Sequence, residues 1–126
     1  GGPVQFCMTG HDPQGVMTQA MEGKPLQGRA LVVRRSVRPE ELRSCHIVYI
    51  SDTDERRQGE ALRAIRNLPV LSIGDAEGFA EVGGMFGLVA EGGRIQFEVN
   101  AEVTHAAGLK ISSQLMRLAR TVRGRT

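Results

Sequence analysis

At 126 residues the chain has the length of one ordinary domain, long enough to bury roughly two thirds of the surface its unfolded form exposes. Its 40% apolar and 24% charged residues are those of a globular protein, and no apolar run approaches the ~20 residues that a membrane helix needs. A net charge of +2 and 4% aromatic residues leave little to neutralise phosphates or stack on bases, so no nucleic-acid partner is expected, although Arg117, Arg120, Arg123 and Arg125 make the C-terminal end locally basic.

The opening GGPVQFCMTG has no signal-peptide pattern, which leaves the compartment unmarked and fits a processed or truncated form. Val4 to Met8 reads as a strand. A TGHDP break and a helical stretch over 13–22 follow, with Gly23 as its stop. Arg29 to Arg35 is a second strand, and Pro39 suits the first turn of a short helix, PEELRS, because its fixed φ fits there and its missing N–H loses nothing. His46 to Ile50 is a third strand, apolar at nearly every position, as a strand covered on both faces would be.

In SDTDERRQGEALRAIRNLP, capping residues precede Ala61, Leu62, Ile65 and Leu68 at helical spacing, and Pro69 marks the end. Val70 to Ile73 is the fourth strand. Beyond it, GGMFGLVAEGGRIQFEVN has the composition of a β-hairpin, with glycines supplying positive φ at its turn. Asn100 can cap a short helix to about Ala107, and Ser112 a final amphipathic helix carrying Leu115, Leu118, Ala119 and Val122, with the C-terminal arginines along one solvated side. The expected fold is α/β: one domain over 1–126 with a mostly parallel sheet, helices on both faces and one antiparallel β-hairpin near the C-terminal side.

Chemical signatures are sparse. Neither GxGxxG nor GxxxxGK[ST] occurs, so the glycine-rich stretch is no phosphate cradle and no cofactor is expected. None of the six serines lies in GxSxG. Cys7 and Cys45 form no CxxC, and His11, His46 and His105 are scattered, so no metal site is expected and the cysteines are either free core thiols or one disulfide. His46 reads as a satisfied core or edge residue. Asp12, Asp52 and Asp75 each follow a strand and could gather at the carboxyl edge of a parallel sheet, where open α/β folds bind ligands. Aspartates at such positions also serve as helix caps and turn residues, and no lysine stands where a receiver-like site needs one.

VRPEELRSCHIVYIS, RNLPVLSIGDAEGFAEVGGMFGLVAEGGRIQFEVN and AGLKISSQLMRLAR together resemble the YfiR family of bacterial periplasmic proteins. The resemblance runs from about Val4 onward, and GGM, RIQFEVN and GLKISSQL are its most specific pieces. It implies a non-enzymatic, dimeric α/β protein of the periplasm. Such a protein represses a membrane-bound diguanylate cyclase through that enzyme's periplasmic sensor region, is relieved by envelope or redox stress, and is open to sequestration by an outer-membrane lipoprotein. Family members carry a signal peptide and a helical segment before the first strand, so the resemblance implies that this chain has lost both. In an oxidising periplasm Cys7 and Cys45 are expected to pair, a crosslink worth about 3 to 4 kcal/mol in the chain-entropy model. Some relatives carry a second cysteine pair where this chain has Ala80 and Gly87, so redox control here would rest on Cys7 and Cys45 alone.

If EGG is a three-residue turn, Ala90 faces Arg94, Leu88 faces Gln96 and Phe86 faces Glu98. Met85, Val89, Ile95, Phe97 and Val99 then form a core face, while Phe86, Leu88, Gln96 and Glu98 share the other. That second face is either covered by a helix or is a protein-binding patch, an apolar anchor beside a charge. The family resemblance favours the patch as the cyclase contact. Two alternatives come from other classes: a small-molecule-binding periplasmic domain with its pocket near Asp52 and Asp75, and an enzyme.

Overall fold

The computed structural model describes residues 2–51 and 54–124; Asp52 and Arg125 lie outside the described residues. Eight strands make one sheet: β1 (Val4–Met8), β2 (Pro25–Leu26), β3 (Arg29–Arg34), β4 (Ile47–Ile50), β5 (Leu71–Gly74), β6 (Phe86–Glu91), β7 (Arg94–Asn100) and β8 (Thr121–Arg123). Their spatial order is β2-β3-β1-β4-β5-β6-β7-β8. β1 pairs in parallel with both β3 and β4, and the parallel run continues through β5 to β6. β6–β7 and β2–β3 are the antiparallel pairs, and β8 lies parallel to β7. The helices are α1 (Val16–Met21), α2 (Glu55–Ala64), α3 (Ala101–Ala106) and α4 (Ser113–Leu118). No helix among the described residues is long and apolar enough to cross a membrane.

Local chemistry explains where the helices begin. The Asp54 carboxylate accepts the backbone N–H groups of Arg56 and Arg57 at 2.8 and 3.4 Å. Asn100 Oδ1 accepts from Val103 N–H at 3.0 Å, and Ser112 Oγ from Leu115 N–H at 3.1 Å. Each cap satisfies donors that the first turn leaves without partners. Pro39 opens a 3-10 turn, Pro39–Ser44, rather than an α-helix.

Strand parity sends the central strands into two cores. On one face Cys7, Val48 and Ile50 meet Leu42, Ala61 and Ile65; on the other, Phe6, Met8 and Tyr49 meet Met17 and Met21 of α1. Burial on both faces is why β4 is apolar at consecutive positions. The first core also needs glycine. The buried Phe79 ring packs against both Gly74 and Gly84, and a Cβ on Gly74 would stand 2.7 Å from it.

Three expectations are corrected. The hairpin turn contains two residues, not three: Gly92 and Gly93 both take positive φ, +59° and +75°, and Glu91 pairs with Arg94. Two consecutive left-handed residues make the turn whose twist matches the flanking strands. The one-residue shift changes every face relation across the hairpin. Phe86 faces Val99, Leu88 faces Phe97 and Ala90 faces Ile95, while Gln96 and Glu98 face Val89 and Gly87. Phe86 and Leu88 therefore do not share a face with Gln96 and Glu98, and the supposed core set splits, with Val89 on one side and Ile95, Phe97 and Val99 on the other.

At the C-terminus, α4 stops at Leu118, because Ala119 is extended and Arg120 N–H donates to Phe97 C=O at 2.8 Å, starting β8 on the open edge of β7. Val122 is thus a strand residue. The arginines do not form one solvated helical side: Arg120 pairs with Glu91 at 2.8 Å and Arg123 with Glu81 at 3.7 Å. Finally, β2 was not expected; Gln27 and Gly28, both at positive φ, fold it back onto β3.

Candidate functional site

The corrected register gathers apolar groups on one side of β6 and β7. The Phe86 and Phe97 rings stack with centroids 5.9 Å apart and planes inclined by 23°, a geometry worth about 0.5 to 1.5 kcal/mol beyond the area it buries. Leu88 and Ile73 join this side to the α1 core. Under α1 the side chains are sealed: Phe6 and Met8 are each 2% exposed. Over β6 and β7 they are not. Phe86, Leu88 and Phe97 remain half-buried, and Ile95, on the same side, is 76% exposed. Helix α4 has no buried residue. A row of aromatic and branched side chains left half open is the composition of an interface centre.

Two of the strand-end carboxylates, Asp12 and Asp75, serve the fold. Asp12 accepts hydrogen bonds from the N–H groups of Met17 and Thr18 at 2.9 and 2.8 Å and from the Thr18 hydroxyl. The Thr18 hydroxyl bond, opposed by desolvation and aided by the backbone donors, holds its carboxyl below the usual 3.8. Asp75 lies beside Tyr49: burial, then the nearby Asp75 charge and a hydrogen bond to it, push the Tyr49 phenol up to about 12. His46 Nδ1 accepts the Gln5 N–H at 2.9 Å. Among the described residues no group of three or more His, Cys, Asp or Glu is placed to hold a metal ion.

Cys7 and Cys45 are joined in a disulfide with Cα atoms 6.1 Å apart, tying β1 to the segment that enters β4. Both are buried, at 0% and 4% exposure. Ala80 and Gly87 also stand side by side, since a Cβ on Gly87 would lie 3.7 Å from that of Ala80.

On the opposite side of the sheet, a cleft of about 420 Å³ opens between α2 and α3, over Ser72 and Met85. A second, of about 750 Å³, adjoins it between the start of α2 and residues 76–82. Asp75 immediately precedes Ala76 and Glu77 of that second wall.

The order of strands about β1, with the chain crossing from β3 over β1 to β4, makes this a doubly wound α/β protein whose sheet is extended by an antiparallel hairpin. The chain belongs to the YfiR/HmsC-like family, whose sequence profile matches residues 1–120. That family is one of periplasmic regulators of diguanylate cyclase signalling and is regulatory rather than catalytic. Sequence reasoning missed Ile95 and Phe97 as members of the open face. The two adjacent glycines, which set a two-residue turn, were the signal that could have placed them there.

Proposed function

We propose that the protein is a periplasmic negative regulator that binds the sensor region of an inner-membrane diguanylate cyclase and lowers cyclic di-GMP output, with the side of the hairpin bearing Phe86, Leu88 and Phe97 as the contact. The half-open stacked pair, beside a core in which Phe6 and Met8 are sealed under α1, carries the reading, and membership of the family supports the class of partner. Homodimer formation and capture by an outer-membrane lipoprotein, which the family resemblance implies, belong to the same proposal. Gln96 and Glu98, on the other side, are not part of the contact. Release by redox stress would act through the buried Cys7–Cys45 bridge, which a reductant reaches only when the fold opens locally.

Affinity for the isolated sensor region tests this. Truncating a central aromatic anchor commonly costs about 2 kcal/mol or more, roughly thirtyfold. Phe86→Ala should weaken binding by that factor, while Gln96→Ala and Glu98→Ala leave it near the parent value. Parent-like binding by Phe86→Ala, or loss confined to Glu98→Ala, would overturn the assignment of this face.

A further inference from the structure

The two clefts on the α2 side are one groove, for they share Gly59, Leu62 and Val82. Its wall is the stripe Glu55, Gln58, Leu62, Ile65 and Arg66 of α2 and the turn beyond it, residues three or four apart and so on one helical side. The floor is apolar, with Ile65 and Met85 at 3% and 2% exposure, and Val82 on the far rim is 65% exposed. Its ends differ in charge. Glu55, Glu77 and Glu81 stand at one end and Arg66 at the other, with Glu102 the single carboxylate beside it, and Arg63 lies between them. Glu81 is engaged by Arg123, whereas Glu55, Glu77, Arg63 and Arg66 enter no ion pair among the described residues.

We infer that this groove binds a short apolar peptide in extended form, its amino terminus toward Glu55 and Glu77 and its carboxylate toward Arg66. Length decides between a peptide and a single amino acid. Glu55 and Arg66 are eleven residues apart along α2 and its continuation, roughly 16 Å at helical rise. The two charges of one amino acid sit too close together to meet both ends. An extended chain gains about 3.3 Å per residue, so roughly four residues, with the reach of the side chains, span the distance. Arg63 supplies a donor midway. Its Nη1 lies 3.1 Å from where a Cβ on Gly59 would be, so the guanidinium folds back over the bare helix backbone into the groove, where a peptide carbonyl would pass. The site is on the opposite side of the sheet from Phe86 and does not depend on the cyclase reading.

Calorimetric titration of the whole chain with Ala-Leu-Leu-Ala and Ala-Phe-Phe-Ala, each with free termini, is the test. At least one should bind, and free leucine should bind at least tenfold more weakly. Amidating the C-terminus should lower affinity by about 1.4- to fivefold, the range of a solvent-exposed ion pair, in the parent but not in Arg66→Gln. Acetylating the N-terminus should do the same in the parent but not in the Glu55→Gln/Glu77→Gln variant. These substitutions are on exposed side chains, so the fold is retained. Failure of both peptides to bind, equal binding of leucine, or end-group effects that persist unchanged in the variants would each overturn the proposal, whatever the outcome at Phe86.

Discussion

Replacing Ala80 and Gly87 together by cysteine should create a second disulfide without rearranging the chain. Native bridges have Cβ atoms about 3.5 to 4.5 Å apart, and the gap between these two positions is 3.7 Å. Gly87 can take a side chain there: its nearest backbone neighbour, Ala80 N, would stand at 3.4 Å, an ordinary contact, and its φ is not left-handed. The bridge joins positions seven residues apart, for which the chain-entropy relation gives about 2.4 kcal/mol. For a domain of this size that corresponds to a rise in Tm of roughly 8 to 12 °C. The assay is mass spectrometry for loss of two hydrogens beyond those of the Cys7–Cys45 bridge, with melting in the absence and presence of a reductant compared with Ala80→Cys and Gly87→Cys alone. No added crosslink under oxidation, or a crosslinked protein melting below both single variants, would show that residue 80 is not held against β6 as described.

Two further outcomes are expected. The Cys7→Ala/Cys45→Ala protein should lose about 4 kcal/mol, the chain-entropy value for a separation of 38 residues, read from denaturant midpoints; if it also lost partner affinity under conditions where it is fully folded, the bridge would have a role beyond stability. Tyr49 is the only tyrosine and there is no tryptophan, so phenolate absorbance reports it alone. Its midpoint should fall near 12 in the folded protein and near 10 in denaturant. Because the folded pKa is the higher one, the associated stability is present below about pH 10 and lost as pH rises toward 12. Asp75→Asn should lower the folded midpoint yet leave it above that of the denatured chain, since burial is the larger cause; coincidence of the two midpoints would refute the burial of Tyr49.

Much of the fold was legible because its signals are local. Asn100 and Ser112 announce their helices by a side chain that bonds three residues ahead, and the apolar run Ile47–Ile50 announces a strand buried on both faces. What was not legible depends on pairing at a distance. Thr121, Val122 and Arg123 follow a helical pattern at short range, and only the open edge of β7 turns them into a strand. Pro25 and Leu26 are too short to signal a strand without β3 beside them. The hairpin failed for a different reason: whether Glu91 belongs to the turn or to the strand is one residue of bookkeeping, yet with a side-chain period of two it exchanges the neighbours of Phe86 completely.

That exchange changes what the open face can be. In a three-residue turn Phe86 and Leu88 would stand among polar partners, two isolated apolar groups of the kind many surfaces tolerate. In the two-residue turn they join Phe97 and Ile95 in a continuous row that runs into the sealed core through Leu88 and Ile73. Leaving such a row half open forgoes hydrophobic stabilisation that a cover would recover at about 25 cal/mol per Å². The described helices do not supply that cover: α1 is only six residues long and lies over the other half of the sheet, and α4 buries none of its own side chains. The free energy left unrealised at Phe86 and Phe97 is therefore available to whatever docks there, and because the row is anchored at one end in a rigid core, a partner would meet a surface already ordered rather than one it must first organise.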